Sequence, residues 1–362
     1  MKVVILGTRG IPNFYGGFEQ FAQYLSEYLV NKGHEVIVYN SHTHPYQEND
    51  WNGVKIVHCK DPEDKIGTAG QFIYDLNCII DSRKRDADII LQLGYASSAI
   101  WYFLLPKKSI VITNMDGLEW KRRKFSKIIR SYIKFAEWLT VKSSQYLISD
   151  SIGIQSYLQN KYSIDSKYIP YGANLVNKCN KDDLQQFSLE AYNYNLIISR
   201  MEPENNIEII LQGFVNSESD KKMVVVGSTK NKYGKYVKSI FSDERIVYLG
   251  YISEIDKLNV LRNYSNLYFH GHSVGGTNPS LLEAMSSNSL ICAHNNKFNK
   301  AILGMDAFYF NCNKCITFMV NRIEIIERKK FIDNNLEKIK YNYSWEKILS
   351  NYESFMQSCL KN

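Results

Sequence analysis

The feature that most constrains this chain is a pattern that occurs twice. Short apolar runs of strand type alternate with helical stretches, the alternation breaks once, and it then resumes. In the first series KVVILG (2–7), EVIVY (35–39), VKIVH, ADIILQL, SIVIT and QYLIS read as buried strands. Between them lie helix-spaced segments, beginning with Phe18, Phe21, Ala22, Leu25 and Leu29 and stopping at Gly33. Further helical segments are expected around 70–84, 95–104, 125–143 and 152–161. Ile169-Pro-Tyr-Gly-Ala-Asn174 and a polar stretch to about residue 190 interrupt the series. YNLIIS (194–199), KMVVVG (222–227), RIVYLG, SNLYFH and SLICA then restart it. Strands alternating with helices give a parallel, doubly wound sheet, so two series predict an α/β chain of two Rossmann-like domains. The expected spans are 1–170 and 171–342, followed by a helix in 343–362 that returns to the first domain. A length of 362 residues accommodates both. Each ligand edge lies at the carboxyl ends of the strands, and the expected site is a central cleft faced by both domains.

Three loops carry chemistry. Gly7-Thr8-Arg9-Gly10-Ile11-Pro12 leads through Tyr15 into Gly16-Gly17-Phe18-Glu19, between the first strand and first helix. Glycines admit close backbone approach, and a helix amino end offers N–H groups to an anion. The dinucleotide fingerprint G-x-G-x-x-G is not formed, which disfavours NAD. Ser199-Arg200-Met201-Glu202-Pro203-Glu204-Asn205-Asn206 follows the first strand of the second series and places Arg200 to pair with a diphosphate. His270-Gly-His-Ser-Val-Gly275-Gly276-Thr277-Asn278-Pro279-Ser280 follows another strand and opens a helix, with Thr277 or Asn278 as cap and Pro279 in the first turn. Glu283 falls one turn into that helix, where its carboxylate can accept from sugar hydroxyls.

Taken together, GGFE, R-M-E-P-E-N-N, G-G-T-N-P-S-L-L-E-A-M and the closing S-W-E-K helix resemble the retaining family-4 glycosyltransferases of GT-B fold. The opening G-T-R-G-I-P-x-x-Y-G-G-F-E and the N-x-D-G-L-E-W-K-R at 114–122 are similar to a bacterial rhamnosyltransferase-like subgroup of surface-polysaccharide (capsule or O-antigen) assembly. The resemblance implies a hexosyltransferase that moves a sugar from a nucleotide-sugar donor, dTDP-L-rhamnose first and a UDP-sugar second, to a lipid-linked saccharide. It implies that Gly16 and Gly17 lie against donor diphosphate and acceptor, and that Arg200 neutralises the diphosphate. It places phosphate and sugar on the backbone around Gly275, Gly276, Thr277, Asn278 and Ser280, with Asn205 nearby, and the ribose on Glu283. Asp116 occupies the position of the family's histidine beside the reacting sugar, so Asp116, Arg200 and Glu283 are the expected catalytic group. Glu119, Asp150 and Tyr171 are candidates on the acceptor side. Two positions depart from the family: Gly275 stands where a glutamate is usual, and Asn205 where a lysine is usual. Lys230 and Lys232 are the cations available to assist Arg200. The alternatives are a non-catalytic sugar-nucleotide-binding protein and a GT-B-fold epimerase. An epimerase or phosphorylase would need an acid/base pair or a lysine-bound pyridoxal phosphate, and neither motif stands out.

No D-x-D motif stands out beside these loops, so no metal and no cofactor are expected. Cys312 and Cys315 form one C-x-x-C without a second ligand pair, and the odd total of seven cysteines argues for reduced thiols. No apolar run reaches the length of a membrane span, which predicts a cytoplasmic protein. Between Trp120 and Lys142, eight basic residues face the single acid Glu137, and this excess equals the net charge of +7 of the whole chain. Trp120, Phe125, Ile128, Ile129, Tyr132, Phe135 and Trp138 interleave with the cations. That mixture suits peripheral contact of 120–142 with an anionic inner-leaflet surface. No zinc finger or RNP motif accompanies it, so nucleic acid is not an expected partner.

Overall fold

The structure, a computed structural model, describes all residues except Asp116, Arg123, Lys124, Asn177, 323–325 and Asn362. The chain forms two compact units. The first holds residues 1–120, 125–171 and 345–362, and the second residues 172–344 with 121–124.

In the first unit the strands are β1 (Lys2–Leu6), β2 (Glu35–Ser41), β3 (Asp50–Trp51), β4 (Val54–Cys59), β5 (Ile89–Leu93), β6 (Ile110–Asn114), β7 (Tyr146–Ser149) and β8 (Lys167–Tyr168). Their order is β3-β4-β2-β1-β5-β6-β7-β8, parallel except for the β3–β4 pair. β1 pairs with β2 (Val4 opposite Ile37) and with β5 (Val4 opposite Ile90). A parallel sheet covered on both faces needs apolar residues throughout, and Val3, Val4, Ile5, Ile89, Ile90 and Leu91 are all fully buried. The closing helix Trp345–Cys359 belongs to this unit. Its Tyr352 packs 4.7 Å from Phe21 and its hydroxyl accepts from Asn114 Nδ2 at 2.9 Å, while Glu353 accepts from the Tyr28 hydroxyl at 2.9 Å.

The second unit contains β9 (Tyr194–Ile198), β10 (Lys222–Val226), β11 (Ile246–Gly250), β12 (Leu267–His270), β13 (Ile291–His294) and β14 (Phe308–Phe310). They form an all-parallel sheet in the order β11-β10-β9-β12-β13-β14. Counted within the unit this is 3-2-1-4-5-6, the doubly wound order whose direction reverses between its first and fourth strands. Ile197, Val225, Phe269 and Phe310 meet Phe214 and Ile316 of the covering helices in one core. The helical segment expected at 95–104 is instead a six-residue 3-10 turn, Ala99–Leu104, because Leu105-Pro106 ends it before a regular helix develops.

Candidate functional site

In a doubly wound sheet the ligand edge lies where strand order reverses, since neighbouring loops there diverge to opposite faces. In the second unit that point is between β9 and β12. The loop after β9 carries Arg200 and the loop after β12 carries residues 271–278. The two loops are joined at their bases. Asn206 Nδ2 donates to Gly271 O at 2.7 Å, and Ser273 gives both its N–H and its hydroxyl to Glu204 O at 3.1 and 2.8 Å. Any side chain at Gly271 would collide with Asn205 O, 1.9 Å from where its Cβ would stand.

Above this base the loops are open. Gly275 has a φ of +132°, a conformation that favours glycine, and nothing lies within 4 Å of its would-be Cβ. Gly275 is therefore built into the backbone path. Among the described residues, neither Gly275 nor Gly276 gives its N–H to a protein acceptor. Asn278 is the cap of the helix Pro279–Ser286, its Oδ1 accepting from Ser280 N at 3.0 Å, and Thr277 is buried beside it. The Ser280 hydroxyl is buried without a partner. Arg200 is exposed, and Asn205 is buried with its amide committed to Arg200 O at 2.8 Å. Asn205 thus shapes the loop that presents the guanidinium. Lys230 and Lys232 are exposed on either side of Asn231, which caps the helix Lys232–Ile240 and donates to Met201 O at 2.7 Å.

Glu283 is not an isolated surface glutamate. Its Oε2 accepts from Arg262 Nη2 at 2.5 Å, and Arg262 is 1% exposed against 25% for the Glu283 side chain. A buried guanidinium thus holds one oxygen of a partly exposed carboxylate. No sequence motif marks Arg262, which lies twenty-one residues away in the helix Ile255–Asn263. The imidazoles of His270 and His272 also went unread. They lie on one face of the β12 line, as alternation in a strand requires, with ring centroids 4.5 Å apart. His270 is fully buried with neither nitrogen hydrogen-bonded. Burial pushes His272 down to about 3, with the Arg200 charge adding to the effect, and burial pushes His270 well below its usual range. Both rings are neutral donors near pH 7. The His-x-His at a strand end was the signal available. Glu204 is a further group that the sequence reading passed over, 6% exposed with both carboxylate oxygens unpartnered.

In the first unit the reversal lies between β1 and β5, and the glycine loop after β1 runs across it. Gly7, at φ +87°, leaves no room for a side chain because Leu93 O stands 2.2 Å from a would-be Cβ. Asn40 fixes the loop from below, accepting from Ile11 N at 3.0 Å and donating to Ile11 O at 2.8 Å. Glu19 accepts from Arg9 N at 3.0 Å, and Asn13 Oδ1 accepts from the N–H groups of Tyr15 and Gly16 at 3.0 and 3.1 Å. Gly16 caps the helix Gly17–Asn31, and beside it Phe14 and Tyr15 are exposed. The acceptor-side candidates follow other strands of this sheet. Glu119 begins a 3-10 turn after β6, and Asp150, 1% exposed, follows β7. Tyr171 is buried against Phe21 at 6.0 Å. Asp116 lies outside the described residues. Glu119, Asp150 and Tyr171 are on the carboxyl side of the sheet.

One D-x-D string does occur, Asp86-Ala87-Asp88, but it stands at the amino end of β5. There Asp88 Oδ2 accepts from Lys2 N at 2.6 Å, on the edge opposite the glycine loop. Among the described residues no group of three or more His, Cys, Asp or Glu side chains is placed to hold a metal ion.

Comparison with known proteins bears on this geometry. The chain aligns over nearly its whole length with sucrose-phosphate synthase from Thermosynechococcus elongatus, with a TM-score of 0.79, 14% identity and 99% of each chain covered. Anabaena HepE in complex with UDP and glucose gives a TM-score of 0.78 at 15% identity, covering 99% of this chain and 100% of that one. The fold is GT-B. A glycosyltransferase from Rickettsia africae shares this GT-B architecture at a TM-score of 0.72 and 14% identity, covering 100% of this chain and 98% of that one. Residues 1–174 match a family model described as a domain of unknown function, DUF1972. Among curated proteins, the alpha-1,3/1,6-mannosyltransferase ALG2 of Candida glabrata is 23% identical over 289 residues, which are 72% of this chain and 60% of that protein.

The basic segment divides between the units. Its helix, Lys127–Ser143, is in the first and is capped by Ser126. The inward face is organised by Glu137, 1% exposed, whose carboxylate accepts from Trp120 Nε1, the Tyr157 and Tyr162 hydroxyls and Lys161 Nζ at 2.7–3.1 Å. The outward face shows Ile128, Ile129, Phe135 and Trp138, and the 3-10 turn packed against this helix adds exposed Tyr102 and Phe103. Arg123 and Lys124 lie outside the described residues. Among the described residues no helix is long and apolar enough to cross a membrane.

Proposed function

We propose that this protein is a retaining, metal-independent glycosyltransferase that passes a hexose from a nucleotide-sugar to a lipid-linked saccharide. The sugar is L-rhamnose carried on dTDP, with a UDP-sugar as the second donor. The observation that carries the reading is the pairing at the β9–β12 reversal: exposed Arg200 on one loop, and uncommitted N–H groups of Gly275 and Gly276 on the other. Neighbours of the same fold that were crystallised with UDP and UDP-glucose support a nucleotide-sugar donor.

The reaction requires charge to be stabilised on a departing diphosphate. Fixed N–H donors, a helix amino end and a guanidinium do this without reorganising. The acceptor hydroxyl attacks the anomeric carbon on the face from which the phosphate departs. The new C–O bond forms as the old one breaks, and the hydroxyl proton passes to the leaving phosphate oxygen. His270 and His272, neutral near pH 7, add donors without adding charge. Glu283 Oε1 receives a ribose hydroxyl while Arg262 holds Oε2 and so orients the carboxylate. Asp116, Glu119 and Asp150 remain the groups that orient the acceptor. The outward face of Lys127–Ser143 rests on an anionic membrane, where a lipid-linked acceptor is met.

The test is transfer itself. Purified protein is incubated with dTDP-rhamnose or UDP-hexoses and a lipid-linked saccharide, with and without excess chelator, after a thermal-shift comparison of dTDP, UDP and GDP. Sugar on lipid with retained anomeric configuration and full activity in chelator is expected. Nucleotide binding without turnover would favour the non-catalytic reading, an altered donor without acceptor the epimerase, and loss in chelator restored by magnesium would end the metal-free mechanism.

A further inference from the structure

The C-x-x-C pair has no part in the site above. Cys312 follows β14 by two residues and immediately precedes the helix Asn313–Arg322, of which Cys315 is the third residue. A cap and the third helical residue are the two positions from which side chains reach each other across a first turn. Here they bring the two sulfurs to 3.3 Å with both thiols free. Cys312 is exposed and Cys315 half-buried. Backbone N–H groups of the turn, that of Asn311 foremost, and the neighbouring Cys312 thiol hold the Cys315 thiol below its usual range.

The backbone around the pair is seated. Gly213 in the helix Ile207–Val215 lies so close that a side chain there would meet Asn313 O and Ile316 Cβ, each at 2.6 Å. The Thr317 hydroxyl donates to Gly213 O at 2.8 Å. A bond between the sulfurs therefore asks only for their approach by about 1.3 Å, within reach of side-chain rotation. The other cysteines differ in access: Cys59, Cys78, Cys292 and Cys359 are buried, and burial pushes the half-buried Cys179 thiol up.

We propose that Cys312 and Cys315 are a reversible dithiol–disulfide site that exchanges with low-molecular-weight disulfides of the glutathione type. The Cys315 thiolate attacks one sulfur of the external disulfide, forming a mixed disulfide and releasing one small thiolate. Cys312 then loses its proton to solvent and attacks the Cys315 sulfur, closing the internal bond and releasing the second small thiolate. Two protein thiols are oxidised and one external disulfide is reduced.

The experiment equilibrates the reduced full chain in mixtures of reduced and oxidised glutathione, blocks free thiols by alkylation and maps peptides by mass. The expected result is a Cys312–Cys315 peptide lighter by two hydrogens, filling as the oxidised fraction rises and emptying when reduced glutathione is added back. Cys312→Ser is expected to leave Cys315 as a stable mixed disulfide. Cys315→Ser is expected to slow modification of Cys312 by about tenfold, the loss of the more thiolate-rich partner. Both thiols staying open to alkylation in oxidised glutathione alone would overturn the proposal. So would glutathione on both sulfurs without ring closure, or a bond found only at Cys59 and Cys78. The readout is chemical and does not depend on transfer activity, so failure here leaves the proposed function untouched.

Discussion

The loops after β1 and β12 each border the strand-order reversal of their own sheet, β1 as the first strand of its series and β12 as the fourth of the other, and they are built to opposite ends. In the first unit, Asn40, Glu19 and Asn13 take up the backbone groups of residues 9–16 and close the loop on itself. In the second, hydrogen bonds secure residues 271–273 at the base and Asn278 at the helix cap. Gly275 and Gly276 keep their N–H groups, and Ser280, His270 and Glu204 keep buried polar atoms without partners. Buried polar groups without partners cost free energy, and their concentration beside one loop sets it apart from the other. The first loop is closed by its own hydrogen bonds; the second keeps donors open where we propose that the donor diphosphate binds.

The largest expected effect is at Glu283, because the residue serves both the fold and the proposed donor site. Glu283→Ala leaves the buried Arg262 guanidinium unpaired, which typically costs about 3 kcal/mol or more of stability. Urea unfolding should show that loss, and Glu283→Gln should recover much of it while transfer stays impaired. Equal stability of the alanine variant and the parent would show that the pair is not needed to hold the helix Pro279–Ser286. Arg200→Ala should cost about 10²–10³ in turnover, about 2.7–4 kcal/mol in the transition state. Its exposed side chain predicts an unchanged unfolding midpoint. Near-parental turnover at saturating donor would remove the diphosphate from this loop.

Acid should distinguish the two units next. His272 has a folded pKa near 3 against an ordinary value of 6.5, so between these values the unfolded chain binds more protons. Its contribution is complete above about pH 6.5 and falls as pH drops, by about 2 kcal/mol at about pH 5. His270, shifted in the same direction, steepens the loss. His272→Gln should flatten the profile of urea midpoint against pH; an unchanged slope would place the titration elsewhere. In the first unit Asn40→Ala should remove two buried hydrogen bonds to Ile11, about 1–3 kcal/mol. Its kinetic signature should be a raised KM for the acceptor with the donor KM unchanged, the reverse of a variant at the proposed donor site.

The same contrast accounts for what the sequence disclosed. Strand runs such as KMVVVG and loops such as GGTNPS are local, and local periodicity and capping make them legible. Arg200, Gly275 and Asn278 belong to that class. Arg262 does not: its meaning comes from a contact across two helices that no spacing rule encodes. Asn205 read as a ligand-side residue, yet the structure turns its amide back onto Arg200 O. The single acid among the cations, Glu137, read as a minor charge and is instead the buried acceptor of four donors. In each case the missing information was three-dimensional partnership.

The smallest effect concerns a surface of the first unit. On the helix Lys127–Ser143, Ile128 is 83% exposed and Phe135 and Trp138 about half exposed, with Lys127, Lys134 and Lys142 around them. Phe103 on the adjoining turn is 62% exposed and is followed by exposed Lys107 and Lys108. Apolar groups that stay uncovered among cations suit a headgroup layer, where rings enter the interface and ammonium groups meet anionic lipid. One lysine contributes about 1 kcal/mol there, so Lys127→Gln should weaken binding to phosphatidylserine-containing vesicles about fivefold. Ile128→Ser should weaken it without altering the salt dependence, because it removes apolar contact rather than charge. Lys232→Gln, in the second unit, should leave vesicle binding unchanged and act, if anywhere, on donor affinity. Sedimentation of vesicles at low and high salt separates these outcomes. Equal behaviour of Lys127→Gln and Lys232→Gln would make the attraction a property of net charge alone, and the outward face of this helix an ordinary solvated one.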